Sequence, residues 1–465
     1  MKGWILAMAL TCTGAAGAAE PIRLHPDNPR YFLFRGEPAI LVTSTEHYGA
    51  VLNSDFNYAA YLDALHADGL NLTRTFSGVY CEVPGSFNIK NNTLAPAPGK
   101  LICPWARSDV PGYVGGGSKF DLTKWDDTYF RRLKDFLSHA GTRGVVVELV
   151  LFCVYYDDNL WKHSPMNAGS NVNGIGGIPR AETLTLNNGG LLAVQQSLVR
   201  KIVAELKDFD NLYYEICNEP YFGAADDWQN HIAATIAEAE AAFPRKHMIA
   251  RNIANGSVKV AAPDPNVSIL NFHYSSPPDS VAMNYGLSRA IGDDETGFRG
   301  SSDAVYRCEG WDFVLAGGAV YDNLDYSFSV GHEDGSGMPD APGGGGATLR
   351  KQLGILKEFI YGFDFVRLKP DVAVVAGRGP CITARILSEP GKAYAVYIRR
   401  IDCGPNPDSG FTSLVLALPP GHWRAEWLNT TTGTAETAVE FDHAGGQKKL
   451  DSPRFTEDVA LKIVR

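Results

Sequence analysis

The 465-residue sequence has little positive charge and few long apolar runs. It carries 42 Lys and Arg against 52 Asp and Glu, a formal net charge of −10, and so lacks the basic surface that nucleic-acid binding requires. Beyond the first residues, no apolar run approaches the roughly 18 residues of a membrane-spanning helix. We therefore expect no nucleic-acid partner and no membrane span. A neutral or cationic substrate suits this acidic balance better than a polyanionic one.

Short motifs of several enzyme classes are also missing. No C-x-x-C occurs, which argues against a zinc ribbon or a thioredoxin-type redox site. There is no G-x-S-x-G nucleophile elbow, no H-E-x-x-H and no phosphate-binding loop, so α/β-hydrolase, zinc-protease and nucleotide chemistry are disfavoured. We predict that the protein needs neither a cofactor nor a metal ion.

The first residues have the features of an export signal. Lys2 precedes an apolar segment at residues 4–12, and the small residues that follow include an A-x-A pattern at 16–18. We predict a signal peptide at residues 1–19 and a secreted or periplasmic location.

An exported chain would meet an oxidising compartment, where cysteine pairing matters. The sequence has 8 cysteines, and loss of Cys12 with the signal leaves an odd number, so at least one thiol is free. Cys81 with Cys103, and Cys381 with Cys403, each flank a long excursion of the chain. A disulfide bond in either pair would hold a loop in place.

From residue 38 onward, short apolar runs alternate with amphipathic helical patterns. The predicted strands cover residues 39–44, 70–76, 145–152, 212–217, 247–252, 267–273, 289–293 and 319–328. The third of them (VVVELVLF) is almost continuously apolar, as expected for a parallel strand that is buried on both faces. Eight strand–helix units predict a (β/α)8 TIM barrel, because an open doubly wound sheet more usually has five or six strands.

After residue 365 the pattern changes to short β-rich runs separated by Gly, Pro, Asn and Asp turns. This pattern is typical of a small all-β sandwich. We predict a barrel domain over residues 20–365 and a C-terminal β-sandwich domain over 366–465. Trp423 and Trp427 lie on one predicted strand, and we favour a structural role for them over a sugar-binding platform.

Polar residues concentrate at the C-terminal ends of the predicted strands, where TIM barrels carry their active sites. Strand four ends in Asn218-Glu219-Pro220 and strand seven in Asp293-Asp294-Glu295. The other strand ends contribute Arg74, His273, Tyr274 and His47. Two carboxylates on different strands are the minimal equipment for glycoside hydrolysis, because one protonates the leaving oxygen and the other attacks or activates water.

The segment from Tyr214 to Pro220 (YEICNEP) resembles the strand-four Asn-Glu-Pro motif of the clan A glycoside hydrolases, a superfamily of cellulase-type, family 5-like TIM barrels. Residues 25–36 (HPDNPRYFLFRG) look like the start of a cellulase-like subgroup that often carries a similar C-terminal β-domain. Some members of that subgroup remove terminal sugars from plant polysaccharides. The chain departs from the clan at strand eight, where a Trp is often found and this sequence has none.

The resemblance implies roles for individual residues. Glu219 would be the acid/base, Asn218 would hold a sugar hydroxyl, and Glu295 would be the nucleophile, with Asp293 or Asp294 as alternatives. The substrate-binding residues implied by the resemblance or proposed from their positions are Arg74, Asn218, His273, Tyr274, His47 and Trp161. Retention of configuration is expected, with the two carboxyls about 5–5.5 Å apart and the pKa of Glu219 raised by the charge of Glu295.

Some of these residues have simpler alternative roles. Arg74 could pair with a buried acid, and His273 could be a packed, hydrogen-bonded core histidine. Trp161 and Tyr156 belong to long loops, where aromatic residues either stack on sugars or anchor the loop.

The leading prediction is a secreted, monomeric, retaining glycoside hydrolase that acts on a plant or microbial polysaccharide or oligosaccharide. The alternatives are a non-catalytic carbohydrate-binding barrel, and a metal-dependent lyase or deacetylase of the same fold. Long loops at residues 81–114, 153–188 and 331–346 favour a deep pocket and exo-action, but they could also wall an open cleft.

Overall fold

The computed structural model of the protein describes residues 20–339, 342–402 and 410–465. The predicted signal peptide at 1–19 and Cys403 lie outside the described residues. Across the part that is described, no helix combines the length and the apolar character needed to cross a bilayer.

Within the described residues, eight parallel strands form the central sheet. Numbered 1 to 8 in chain order, they are Leu41–Thr45, Leu72–Phe76, Val146–Cys153, Leu212–Asn218, Ile249–Asn255, Ile269–His273, Ala290–Thr296 and Val320–Leu324. Their hydrogen-bonded order is 1-8-7-6-5-4-3-2. The N–H of Asn71 donates to the carbonyl of Val42 at 3.3 Å and brings strands 1 and 2 together. The sheet therefore closes into the predicted TIM barrel.

Helices cover the outside of the barrel. In chain order, the described α-helices α1 to α8 are Tyr58–Ala67, Asp127–Thr142, Asp158–His163, Leu191–Leu206, Asp226–Ala239, Asp279–Asn284, Asp303–Leu315 and Ala347–Tyr361. Short 3-10 helices lie at Ser86–Asn88, Arg180–Glu182, Pro220–Phe222, Tyr285–Leu287, Phe365–Arg367 and Val372–Val374. Helix α2 shows why they form: the Asp126 side chain caps its first N–H groups, and Phe130, Leu133 and Phe136 bury one face.

Two smaller sheets flank the barrel strands. Arg23–Leu24, Phe32–Phe34 and Glu37–Ala39 form an antiparallel sheet at the N-terminal end of the barrel. Its neighbour Ile22 donates its N–H to the carbonyl of Asp210 at 2.8 Å, just before strand 4. An antiparallel hairpin, Trp105–Pro111 with Ser118–Trp125, fills the long connection between strands 2 and 3.

The same connection contains Cys81 and Cys103, and the disulfide bond predicted between them is wrong. Both thiols are free and buried. Cys103 Sγ donates to the carbonyl of Trp105 at 3.5 Å instead. Cys381 does take part in a disulfide bond, while Cys403, its predicted partner, lies outside the described residues.

The C-terminal region packs two antiparallel sheets into a β-sandwich. The six-stranded sheet contains, in spatial order, Lys369–Pro370, Ile382–Glu389, Ala393–Arg400, Asp458–Val464, Gly421–Leu428 and Ala435–His443, and the three-stranded sheet contains Val375–Arg378, Ser413–Leu418 and Gly446–Asp451. Trp423 and Trp427 are buried in the sandwich core, so neither forms a sugar-binding platform. The predicted domain limits at 365 and 366 stay a prediction.

Helix α7 joins the barrel to the sandwich. Its Arg307 forms a buried ion pair with Asp458 at 2.7 Å, and its Trp311 stacks on Tyr397 with ring centroids 5.5 Å apart. Since α7 directly precedes strand 8, the sandwich supports the part of the barrel that carries strands 7 and 8.

Candidate active site

A pocket lies at the C-terminal ends of the barrel strands, where TIM barrels carry their active sites. It is lined by His47, Tyr48, Phe76, Tyr80, Glu82, Phe87, Leu94, Cys153, Tyr156, Asn218, Glu219, Tyr274, Glu295 and Phe298. The structure thus brings most of the residues singled out in the sequence to one place. Arg74 and His273 lie directly beneath the lining, while Trp161 does not reach it.

Glu219 follows the last residue of strand 4. Its backbone is in the left-handed region (φ 48°), a strained conformation that clusters at functional sites. Oε2 accepts a hydrogen bond from the hydroxyl of Tyr156 at 2.5 Å, and Oε1 accepts one from Tyr221 at 3.1 Å. The Nδ1 atom of His273 lies 3.3 Å from Oε1. The carboxylate is therefore held by three neighbours.

These neighbours also determine the protonation of Glu219. Burial raises its pKa, but the hydrogen bond and positive charge of His273 lower it, and the hydroxyls of Tyr156 and Tyr221 lower it further. The net effect is a pKa below the ordinary value of a glutamate. The sequence prediction of a raised pKa is therefore wrong for the free site, because hydrogen bonds to the ionised form outweigh desolvation.

Glu295 belongs to strand 7 and is held from two sides. Oε1 accepts a hydrogen bond from Tyr274 at 2.8 Å, and Oε2 accepts from Tyr48 at 3.1 Å and from Arg74 Nη1 at 3.3 Å. Tyr48 and Tyr274 both have left-handed backbones, with φ of 61° and 53°. The hydroxyl donors that fix this carboxylate thus come from strained positions just after strands 1 and 6.

Glu219 and Glu295 lie close together. His273 Nδ1 is 3.3 Å from one carboxylate and 3.5 Å from the other, and an oxygen of each lies within 4.8 Å of an oxygen of its partner. Retaining glycosidases hold their two carboxyl groups about 5–5.5 Å apart, whereas inverting enzymes need about 6.5–9.5 Å to admit a water molecule. The observed spacing suits direct attack by one carboxylate.

A β-bulge on strand 7 separates Glu295 from the two aspartates before it. Strand 6 pairs Phe272 with Asp293 and then His273 with Glu295, so Asp294 is the extra residue. Asp294 is buried beneath the pocket, and Asp293 accepts the N–H of Ser275 at 3.2 Å. Burial raises the pKa of both aspartates well above their usual range. Of this acidic trio, Glu295 is the residue that lines the pocket.

Arg74 connects the pocket to a buried polar layer. Its side chain is fully buried, and Nη2 donates to Glu215 at 2.6 Å and to Asn218 Oδ1 at 2.7 Å. Asn218 Nδ2 in turn donates to the Tyr156 hydroxyl at 3.0 Å. Arg74 therefore pairs with a buried acid, which was its alternative role, and it also orients Asn218; its predicted role in substrate binding stays a prediction.

Trp161 does not fit its predicted role in sugar binding. It is buried, its ring lies 4.7 Å from that of Tyr155, and its Nε1 donates to the carbonyl of Ile178 at 3.0 Å. These contacts make it an anchor of its loop, which was the alternative. At strand 8, where the sequence lacks a Trp, Tyr326 packs near His47 and Phe298 with ring centroids 5.9 and 6.2 Å away.

Sequence reasoning missed several residues of the site. Tyr48, Tyr221 and Glu82 were not singled out, and Tyr156 was considered only as a loop aromatic. Tyr48 and Tyr221 stand one and two positions from His47 and Glu219, so proximity to those residues was an available signal. Glu82 follows strand 2 by several residues, and nothing in the local sequence distinguishes it.

Two groups of side chains in the described part of the chain could hold a metal ion. Glu219, His273 and Glu295 form the first, at the pocket, and Glu148, Glu215 and Asp294 form the second, which is buried below it. Carboxylate and imidazole donors suit a divalent transition metal. In the structure, the His273 nitrogen is instead hydrogen-bonded to Glu219.

Comparison with known proteins gives a consistent picture of the fold. No protein-family model matches the sequence, and no curated protein matches it. Among solved structures, a protein from Bacteroides vulgatus named as a glycoside hydrolase aligns with a TM-score of 0.66 at 14% identity, covering 97% of this chain and 83% of the other.

Two further structures align at a TM-score of 0.60. One is named as a glycoside hydrolase (15% identity; 96% of this chain, 97% of the other), and one is a glycoside hydrolase family 5 protein from Bacteroides vulgatus (14% identity; 96% and 93%). The chain therefore has, over nearly its whole length, the fold of these glycoside hydrolases.

Proposed function

We propose that the protein is a retaining glycoside hydrolase in which Glu219 is the acid/base and Glu295 the nucleophile. One observation carries the proposal: carboxylates from strands 4 and 7 line the same pocket, with oxygens within 4.8 Å of each other. So close an approach suits double displacement better than the wider separation of inverting enzymes. The fold shared with known glycoside hydrolases supports the same conclusion.

In the first step, Glu295 attacks the anomeric carbon and forms a glycosyl ester, while Glu219 gives its proton to the leaving oxygen. In the second step, Glu219 takes a proton from a water molecule as that water attacks the anomeric carbon; the bond to Glu295 breaks, the sugar is released and Glu295 returns as a carboxylate. Tyr48, Tyr274 and Arg74 hold the Glu295 carboxylate in place before attack. Holding the carboxylate in the reactive orientation lowers the entropic part of the activation barrier.

The low pKa of Glu219 shapes the pH dependence of this reaction. The acid must carry a proton when substrate binds, so kcat/KM falls as pH rises through the pKa of Glu219 in the free enzyme. Because His273, Tyr156 and Tyr221 hold that pKa below its ordinary value, the enzyme works best on the acidic side of neutrality. A bound substrate displaces water from the pocket and so buries Glu219 further, which favours its protonated form.

The pocket favours exo-action on a terminal sugar. Most of its lining residues are buried, and the exposed Phe87 and Phe298 belong to the same lining. A pocket enclosed in this way suits one terminal sugar ring better than a long chain. With the export pattern of the first residues, this points to a secreted enzyme that trims a plant or microbial polysaccharide or oligosaccharide.

The test combines product stereochemistry with two variants. NMR of the first product formed from aryl glycosides and plant oligosaccharides should show the same anomer as the substrate. Glu295→Ala should abolish turnover, and Glu219→Gln should lower kcat/KM by about 10²–10⁴-fold on substrates with poor leaving groups. Glu182→Gln, at an exposed glutamate of the 3-10 helix Arg180–Glu182, is the matched control and should leave activity unchanged. An inverted product would rule out Glu295 as nucleophile.

A metal-dependent enzyme is the second candidate, because Glu219, His273 and Glu295 could ligate a cation. Treatment with a chelator separates the two. Unchanged activity is expected for the glycoside hydrolase, and loss that is restored by a divalent metal would favour the alternative. A carbohydrate-binding barrel without catalysis would bind sugars and release no product from any of them.

A further inference from the structure

A third carboxylate lines the pocket beside the two that the proposed reaction uses. Glu82 lies on the segment between strands 2 and 3 and is 5% exposed. His47 Nε2 lies 3.3 Å from each of its oxygens, and the Tyr80 hydroxyl donates to Oε1 at 3.2 Å. Asn92 Nδ2 donates to Oε2. The carboxylate is thus fixed in one orientation before any ligand arrives.

The contacts of Glu82 leave it able to accept more. A carboxylate offers about four lone-pair positions, and these neighbours supply three donors. Burial lowers the pKa of His47, but the charge and hydrogen bond of Glu82, with smaller contributions from Glu295 and Glu46, raise it more. The raised pKa favours a protonated His47 beside the carboxylate, and one lone-pair position of Glu82 remains for a further hydrogen bond.

Glu82 belongs to the closed part of the pocket. Its neighbours Tyr80 and Leu94 are almost fully buried, whereas Phe87 and Phe298 are each 40% exposed and stand at the mouth. Burying a carboxylate costs free energy unless it is paired, and the double displacement needs no third acid. This placement suits recognition of a ligand.

We propose that Glu82 is a specificity-determining residue that accepts a hydrogen bond from one ring hydroxyl of a neutral, non-reducing terminal sugar. The proposal rests on the proposed glycoside hydrolase function and names its substrate class. Hydroxyl-to-carboxylate hydrogen bonds are about twice as strong as neutral ones, and a site built around such a bond rejects an analogue that lacks the hydroxyl. A uronic acid would bring a second negative charge towards Glu82 and is disfavoured.

The experiment measures the loss caused by removing one hydroxyl from the substrate. A panel of 4-nitrophenyl glycosides of neutral pyranoses identifies one that the wild type hydrolyses, and its 3-, 4- and 6-deoxy analogues are then compared. At least one analogue should lower kcat/KM by about 10- to 100-fold in the wild type. That ratio should shrink about tenfold in Glu82→Gln and approach one in Glu82→Ala.

The ratio of two substrates on one protein sample does not depend on the folded fraction, so partial unfolding of a variant leaves the result readable. Glu182→Gln is the control and should keep the wild-type ratio. Equal deoxy ratios in wild type and both Glu82 variants would overturn this inference while hydrolysis itself still stood. Hydrolysis of the 4-nitrophenyl uronide as fast as the neutral glycoside would also overturn it. No hydrolysis of any glycoside would overturn the proposed function, and the inference with it.

Discussion

The hydroxyl of Tyr156 offers a direct test of how the site controls its proton. It donates to Glu219 Oε2 at 2.5 Å and is one of the groups that lower the pKa of that carboxyl. The Tyr156→Phe variant removes this donor and keeps the ring. Since a hydrogen bond to the ionised form lowers a pKa, its loss should raise the pKa of Glu219.

The size of the shift follows from the strength of the bond. A hydrogen bond to a charged group contributes about 1.5–3 kcal/mol, and one pKa unit corresponds to about 1.36 kcal/mol. Removal of the bond would therefore shift the pKa by about 1–2 units. Tyr221 and His273 remain as donors, so we expect the lower end, about one unit upward.

The assay is the pH profile of kcat/KM on an aryl glycoside, whose basic limb reports the acid in the free enzyme. That limb should move up by about one unit in Tyr156→Phe, so that the variant retains more of its own maximum above neutral pH than the wild type does. Tyr155→Phe is the matched control, because the Tyr155 hydroxyl contacts Ser164 at 2.8 Å and no carboxylate of the site. An unmoved basic limb, or one displaced to lower pH, would refute the account.

Three further predictions concern stability. Asp458→Ala removes the buried carboxylate partner of Arg307 at the interface of barrel and sandwich and leaves that guanidinium only Gln352 and the half-exposed Glu457 as side-chain partners. It should lower the free energy of unfolding by about 3 kcal/mol in urea titrations; a loss below about 1 kcal/mol would show that the interface is not coupled to folding. Trp161→Ala should lower the free energy of unfolding by about 3–5 kcal/mol and leave KM unchanged under conditions in which the variant is folded. A large rise in KM would instead support the predicted role of Trp161 in sugar binding. Burial raises the pKa of Glu46 to about 7 from 4.5. The unfolded chain therefore loses this proton at a lower pH than the folded protein, and the wild type loses about 3 kcal/mol of folding stability between about pH 4.5 and 7. Glu46→Gln should abolish this loss, because glutamine does not titrate. Equal pH dependence in both proteins would contradict it.

Much of the fold could be predicted from hydrophobic periodicity. Each predicted barrel strand overlaps an observed one, because strands buried on both faces must be apolar and the helices between them must be amphipathic. The short β-rich runs separated by turn residues after residue 365 likewise predict the sandwich. The limits of the apolar runs also locate the strand ends. Because the C-terminal ends of barrel strands share one face, the sequence predicts that Glu219 and Glu295 lie at the same end of the barrel.

The chemistry of the site depends on contacts between residues far apart in the chain. The direction of the Glu219 pKa shift comes from His273, Tyr156 and Tyr221, and two of these donors lie on other strands or loops. The wrongly predicted Cys81–Cys103 disulfide and the loop-anchoring position of Trp161 have the same origin, since a loop's path determines which of its side chains meet. Glu82 reaches the pocket because its loop brings it beside His47, which follows strand 1.

The sequence alone therefore determined the barrel, the sandwich and the strand ends at which acids occur. The tertiary structure decided which acid faces the pocket, because the bulge at Asp294 shifts the alternation of side chains on strand 7 by one position. Hydrophobic periodicity reports which residues are buried, and it can be read from neighbouring positions in the sequence. Protonation and ligand recognition depend on distances of a few ångströms between separate segments, and those distances exist only once the barrel has closed.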